Sequence, residues 1–187
     1  MALIEVSGLT KSYGPTQVLR GVDLAVDEGE IVGVLGSNGS GKTTAVECIG
    51  GLRTPDAGQI TVAGHDPRSA GAELRELLGM QLQQCRLPAK ITVDEALALY
   101  SAFYADPRPG EELLERFDLT DQRSTRFADL SGGQQQRLSV ALALIGRPRV
   151  AFLDELTTGL DPSARRDIWS YLKLLRNDGV TMILVTH

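Results

Sequence analysis

Eight consecutive residues in the first quarter of the chain have the residue types of a loop that binds phosphate. Two glycines five positions apart are followed by a lysine and a threonine, in the order Gly36, Ser37, Asn38, Gly39, Ser40, Gly41, Lys42 and Thr43. Glycines let backbone N–H groups converge on a polyphosphate, and the start of the following helix adds a partial positive charge. Lys42 is expected to reach the β- and γ-phosphates, and the Thr43 hydroxyl to ligate magnesium. These residues, with Thr44 beside them, predict a site for a nucleoside triphosphate.

Two adjacent carboxylates, Asp154 and Glu155, end the apolar run at residues 150–153. In an open parallel sheet the ends of such strands face the ligand cleft. Asp154 could hold magnesium directly or through water, and Glu155 could orient or deprotonate an attacking water. Taken alone, the pair is better explained as two solvated carboxylates at a strand end. The presence of the phosphate loop reverses that preference.

The elements that must position these residues follow from the apolar pattern. Continuous apolar runs at residues 31–35, 150–153 and 181–185, with helical stretches at 43–49 and 162–177, predict buried parallel strands joined by crossover helices. Period-2 alternation at residues 18–26, after a first run at 2–6, predicts two half-buried antiparallel strands.

Residues 87–146 have a helical pattern throughout. Residues 92–95 form a capping-box sequence that opens one helix, and Ser131 opens another that runs to about Ile145, with Gly146 and Pro148 as stop signals. We therefore predict an α/β nucleotide-binding core made of residues 1–84 and 149–187, with a helical subdomain inserted at 85–148.

Composition narrows the class of protein further. A chain of 187 residues with 42% hydrophobic content can bury the core of one generous domain. The longest run without Asp, Glu, Lys, Arg or His spans only residues 31–41, which is too short to cross a membrane, and no export signal is visible, so a cytoplasmic location is expected. A net charge of −5 argues against a nucleic-acid partner. Cys48 and Cys85 are far apart and are expected to be ordinary buried thiols.

A second glycine-bearing segment indicates a protein family. Residues 130–137 contain Ser131 as a helix N-cap followed by Gly132 and Gly133, and Gln134 completes a capping box. The bare N–H groups at this helix end form a second anion site, which one nucleotide does not need. The segment resembles the signature motif of ABC-type ATPases, and the phosphate loop, the Asp-Glu pair and the terminal Thr-His follow in that family's order over essentially all 187 residues.

The resemblance implies a P-loop NTPase (RecA-like) core with an N-terminal antiparallel β subdomain and an inserted α-helical subdomain. It also implies a head-to-tail dimer, in which each signature segment caps the γ-phosphate held by the other copy's phosphate loop.

Four further positions match the family pattern, and each also has an ordinary structural explanation. Tyr13 resembles the aromatic residue that stacks on adenine, although a lone tyrosine is as often packing. Gln83 resembles the glutamine that touches magnesium or the attacking water, with Gln84 leaving the register open by one residue. Asp161 resembles a dimer-contact aspartate and is also placed as an N-cap before proline. His187 resembles the switch histidine at the γ-phosphate, although a terminal residue can simply be frayed.

Leu156 departs from the family pattern, because proline usually follows the Asp-Glu pair. We expect this difference to loosen the loop without removing a catalytic group.

The resemblance implies an ATP-hydrolysing subunit of an ABC transporter that uses ATP and a magnesium ion. Its partners would be a separate transmembrane permease at the inner face of the cell membrane and a second cassette, with no nucleic acid. Residues 78–83 and 91–97 resemble those of drug-resistance and lipid or polysaccharide exporters, so export is expected.

The alternative is a soluble ABC-type ATPase acting on ribosomes or nucleic acid. Only 47 residues separate Gln83 from Ser131, which excludes the long coiled coils of DNA-organising relatives. A catalytically dead regulator is less favoured, because Lys42, Thr43, Asp154, Glu155 and Ser131 are all present.

Relatives continue past the histidine with a helix and further strands. The sequence is therefore expected to be truncated after the switch histidine, with an exposed edge or apolar face and weak hydrolysis from this segment alone.

Overall fold

The computed structural model describes residues 2–81, 87–154, 156 and 162–186. Its described residues form two sheets, one antiparallel and one parallel, with helices packed against them. The mixed α/β class expected from the sequence is confirmed.

The antiparallel sheet formed by the described residues contains three strands, and the first of them in the chain lies in the middle. Strand β1 (Ala2–Tyr13) pairs with β2 (Thr16–Asp27) as a hairpin and with β4 (Ala57–Val62) on its other side. The predicted antiparallel pair is confirmed, although both strands are longer than the apolar runs that indicated them.

The parallel sheet contains four strands in the order β3-β7-β6-β5, comprising β3 (Ile31–Leu35), β5 (Leu78–Gln81), β6 (Val150–Asp154) and β7 (Thr181–Thr186). The pairing is parallel throughout. Three of these strands were predicted from their apolar runs, and β5 was not. All four carboxyl ends lie at the same edge of the sheet, which is the edge that carries the phosphate loop.

Six helices lie among the described residues: α1 (Lys42–Ile49), α2 (Gly71–Leu77), α3 (Val93–Ser101), α4 (Gly110–Arg116), α5 (Gly132–Leu144) and α6 (Pro162–Asn177). The prediction of helix throughout residues 87–146 is only partly correct. Loops and two 3₁₀ turns, Thr120–Gln122 and Phe127–Asp129, separate α4 from α5.

The core consists of two apolar clusters on opposite faces of the parallel sheet. Along β6, Ala151 and Leu153 pack into the cluster of α3 to α6, whereas Val150 and Phe152 pack into the cluster of α1 and the antiparallel sheet. A strand buried on both faces has a continuously apolar sequence, which explains why β6 shows no alternation.

Strand β7 lies in the interior of the parallel sheet, paired with both β3 and β6, and its residues 181–185 are buried. Among the described strands, β3 and β5 are the edges of this sheet, and Leu35 at the end of β3 is 73% exposed. None of the described helices has the length and apolar character needed to cross a membrane.

Candidate nucleotide site

The phosphate loop joins β3 to α1 and is held in shape by its own side chains. A Cβ at Gly36 would lie 2.6 Å from the Ser40 Oγ, so the serine side chain fills the space that a larger residue would need. The Ser40 N–H donates to the Ser37 carbonyl at 3.1 Å, which closes a turn inside the loop. Residues 37–40 are exposed, so the loop presents its backbone to a ligand.

Lys42 lies inside this loop. Its side chain is 8% exposed, and its Nζ donates to the Gly36 carbonyl at 2.7 Å and to the Ser37 carbonyl at 3.0 Å. A buried ammonium requires such oxygen partners, and phosphate oxygens can replace them with a stronger electrostatic attraction. The Thr43 side chain, one residue into α1, is half-buried beside it.

Asp154 lies at the same edge of the sheet as the phosphate loop. It is 3% exposed at the end of β6 and pairs in register with Val185, while Leu35 at the end of β3 pairs with Thr186. Two strand spacings therefore separate Asp154 from the start of the loop, a lateral distance of about 10 Å. This separation leaves room for a phosphate and a hydrated cation between them.

The donor set fits magnesium. Among the described residues, no cluster of three or more His, Cys, Asp or Glu side chains could hold a metal by itself. Magnesium is typically bound by one or two protein oxygens together with phosphate oxygens and water. The Thr43 hydroxyl and the Asp154 carboxylate would supply that number of protein ligands.

The signature segment forms the predicted helix N-terminus. Ser131 caps α5, with its Oγ accepting from the Gln134 N–H at 3.3 Å, while the Ser131 N–H donates to the Gln134 Oε1 at 2.8 Å. The predicted capping box is confirmed, as is the one formed by Thr92 and Glu95 on α3. Ser131 and Gly132 are exposed, so this helix end is accessible to a partner.

Tyr13 ends β1 at the tip of the first hairpin, 42% exposed. The neighbouring strand lies against the phosphate loop, because a Cβ at Gly41 would come within 2.9 Å of both Val18 and Leu19 of β2. The hairpin that carries Tyr13 thus contacts the end of the loop through β2.

Several charged residues around Tyr13 were missed by the sequence reasoning. Arg53 pairs with Glu47 at 2.6 Å, and this hydrogen bond raises the pKa of the Arg53 guanidinium. Lys11 donates to Asp56 at 2.8 Å, and the Lys11 ammonium and the Ser12 N–H together hold the pKa of the Asp56 carboxyl below its usual value. Neither pair has helical spacing, so the sequence pattern carried no signal for them.

Gln83, Glu155, Asp161 and His187 lie outside the described residues, and so do Gln84 and Cys85. Cys48 is buried as expected, and burial raises the pKa of its thiol. Leu156 is 6% exposed and packs in the apolar cluster of α3 to α6. This burial does not support the expectation that Leu156 loosens the loop after the Asp-Glu pair.

A cleft of about 330 Å³ lies between the core and the helical region and is called here the core–helical cleft. The end of α1, helix α2 and strand β5 form most of its wall, and Tyr104 closes it from the helical side. Its lining residues include Leu52, Met80 and Tyr104.

The family model for the ABC transporter matches residues 19–158 of this chain. The chain belongs to the ABC transporter family. It is 41% identical to the daunorubicin resistance ATP-binding protein DrrA3 of Streptomyces coeruleorubidus, over 98% of this chain and 60% of that protein. It is 40% identical to the Nod factor export ATP-binding protein I of Rhizobium meliloti (strain 1021), over 98% of this chain and 56% of the relative.

Solved structures of this ABC family superpose on the whole chain. The ATP-binding subunit of an ABC transporter matches with a TM-score of 0.87 at 29% identity, covering 99% of this chain and 79% of the other. CbiO1 of Clostridium perfringens, part of the ABC transporter complex CbiONQ, matches with a TM-score of 0.86 at 28% identity, covering 100% and 78%. The chain spans about three fifths of the length of the curated relatives named above.

Proposed function

We propose that this chain binds ATP with magnesium and hydrolyses it to power export through a separate membrane permease. The observation that carries this proposal is the buried Lys42 inside a phosphate loop, with Asp154 at the same sheet edge. Lys42 and the loop N–H groups would hold the phosphates, and Thr43 and Asp154 would hold magnesium, which neutralises charge on the transferred phosphoryl group. Glu155, directly after Asp154, would orient or deprotonate the attacking water, with Gln83 and His187 beside the γ-phosphate.

The signature segment supports a dimer of two such chains. The helix N-terminus at Ser131 is a second anion-binding site, and the nucleotide held by the chain's own phosphate loop does not require it. We propose that Ser131, Gly132, Gly133 and Gln134 cap the γ-phosphate bound by the other copy, with Asp161 at the contact between the copies.

Export is supported by the names of the relatives, which are a drug-resistance protein and a Nod factor export protein. The core–helical cleft is a suitable docking site for the permease. Leu52 on its wall is 61% exposed, and Phe103, next to Tyr104, is 72% exposed. Docking there would place the chain at the inner face of the membrane. The observations do not favour the alternative of a soluble ABC-type ATPase acting on ribosomes or nucleic acid.

Removal of the Lys42 side chain tests the phosphate loop. Lys42→Ala should abolish detectable ATP binding in isothermal titration calorimetry, because the loop loses the one ammonium that the described residues place inside it. Arg149→Ala is a suitable control, since Arg149 pairs with Glu28 at 2.7 Å away from the loop. An unchanged ATP affinity in Lys42→Ala would refute the assignment of the loop.

Replacement of Glu155 tests hydrolysis separately from binding. Glu155→Gln should retain ATP binding, stall turnover and trap the closed dimer, because the amide cannot accept the proton of the attacking water. Steady-state phosphate release and sedimentation with Mg-ATP measure the two effects. Near-normal hydrolysis in this variant would remove Glu155 from the mechanism.

A further inference from the structure

Arg53 lies over the ring of Tyr13, and a hydrogen bond to Glu47 holds its guanidinium there. The guanidinium carbon is 5.3 Å from the centroid of the ring and the Lys11 Nζ is 6.0 Å from it, so both cations lie within the range of a cation–π interaction. The Arg53 Nε donates to the Glu47 carboxylate at 2.6 Å, and the two side chains are 38% and 22% exposed. Glu47 is part of α1, the helix that begins at Lys42 of the phosphate loop.

The backbone after α1 fixes the position of Arg53 as well. The N–H groups of Leu52 and Arg53 both donate to the carbonyl of Glu47, at 2.8 and 3.1 Å. Because both its backbone and its guanidinium are anchored on Glu47, the arginine retains little of the freedom of a long side chain. Its place beside the Tyr13 ring is set by α1.

The hairpin that carries Tyr13 is tied to the same segment of chain. The Asp56 carboxylate accepts from the Lys11 ammonium at 2.8 Å and from the Ser12 N–H at 2.7 Å. The Asp56 N–H in turn donates to the Thr10 carbonyl at 2.9 Å. The ring is thus approached by two cations, Lys11 from its own strand and Arg53 from the segment after α1, and Asp56 holds that segment against the hairpin.

We propose that Arg53, positioned by Glu47, supports one face of the Tyr13 ring so that the other face is preset to stack on the base of a nucleotide. Arg53 is then a positioning residue that makes the site prefer a nucleoside triphosphate over a bare polyphosphate. This inference rests on the proposed binding of ATP. A ring that is already oriented loses less conformational freedom on binding, so its support should appear as affinity for the base.

The contribution of the base to affinity can be separated from that of the phosphates with two ligands, Mg-ATP and magnesium tripolyphosphate. Each is titrated calorimetrically into the whole chain. Arg53→Ala should weaken ATP binding by about two- to fivefold, the size of one exposed cation–π contact. The affinity for tripolyphosphate should not change. Arg149→Ala, which removes a similarly exposed arginine from its carboxylate partner, should alter neither affinity.

A double-mutant cycle shows whether Arg53 acts through the ring. In the Tyr13→Ala background, Arg53→Ala should cause no further loss of ATP affinity. Three results would overturn the inference: an equal loss for both ligands, the same loss without the tyrosine ring, or tighter ATP binding, which would mean that the guanidinium occupies the stacking face.

Glu47→Gln provides a second variant should Arg53→Ala fail to fold. The neutral amide weakens the hydrogen bond that holds the guanidinium while keeping the shape of the side chain. It should lower ATP affinity in the same direction by a smaller factor and leave tripolyphosphate binding unchanged, and equal affinities to the unaltered chain would overturn the positioning role.

Failure of the proposed function gives a different result. If the unaltered chain bound neither ligand, both the nucleotide site and this inference would be wrong. If it bound both ligands in a manner that depends on Lys42, but Arg53→Ala changed nothing, only the role of Arg53 would be lost.

Discussion

At the scale of single residues, Gly41 lies where the phosphate loop meets the hairpin that carries Tyr13. Its φ of +93° lies in the left-handed region, and a Cβ there would meet Val18 and Leu19 at 2.9 Å and the Val18 carbonyl at 3.1 Å. The glycine therefore allows both the turn into α1 and the close approach of the hairpin that carries Tyr13.

Gly41→Ala should destabilise the fold by about 1–3 kcal/mol from backbone strain, with a further loss from displacement of β2. Gly21→Ala is the matched control, since Gly21 on β2 has a φ of +85° with open space around it and suffers only the strain. Urea unfolding without nucleotide measures both free energies. Equal losses in the two variants would show that the contact with β2 contributes nothing.

The phosphate-loop residues and Asp154 could be predicted because short spacing and strand position determine where they lie. Arg53 could not, because its pairing with Glu47 depends on the chain reversal after α1, and its contact with Tyr13 joins residues 40 positions apart. Such pairs are set by tertiary packing, which leaves no local pattern in the sequence.

At the scale of elements, two capping boxes of the same chemistry serve different purposes. Thr92 caps α3 and Ser131 caps α5, each with a side-chain acceptor and a returning Glu or Gln. Two glycines follow Ser131 at positions that are poor for helix formation, whereas valine and aspartate follow Thr92. At α3 the N–H groups of Val93 and Asp94 donate to the Thr125 and Arg123 carbonyls at 3.2 and 3.0 Å, whereas the described backbone provides no such acceptor for Gly132 or Gly133.

Ser131→Ala and Thr92→Ala should each cost about 0.5–2 kcal/mol of stability, because each removes one N-cap. Only Ser131→Ala should also weaken the dimer that forms with Mg-ATP in the Glu155→Gln background. Thermal melts give the first quantity and sedimentation the second. Equal dimerisation by the two variants would remove Ser131 from the shared nucleotide site.

Elements with strong apolar patterns were predicted, and three weaker ones were missed. Strand β5 has the sequence Leu-Gly-Met-Gln, which has low strand propensity and is held as a strand by its parallel pairing with β6. Helix α2 has only seven residues, and β4 contains Gly58, where a Cβ would meet the backbone of β1 at 2.7 Å. Tertiary contacts decide these elements.

At the scale of the whole molecule, the core–helical cleft brings together parts that are distant in the chain. Leu52 follows the helix that begins at the phosphate loop, Met80 lies on β5 just before the Gln83 segment, and Tyr104 belongs to the helical region. A partner bound in this cleft would contact all three, so its movement could be transmitted to both the phosphate loop and the signature helix.

This arrangement predicts where the proposed permease contacts the chain. A photoreactive amino acid at position 103 should crosslink, in cells of the source organism, to a protein with several membrane-spanning segments, because Phe103 is 72% exposed and adjoins Tyr104, which lines the cleft. The same group at Leu174, 48% exposed on α6, is the matched control and should give no such adduct. Mass spectrometry of the membrane fraction identifies the products. A membrane-protein adduct from position 174 but not from 103 would place the permease at α6 instead of the cleft. Coupling to the nucleotide site would then have to run through α6 and β7 instead of the phosphate-loop helix.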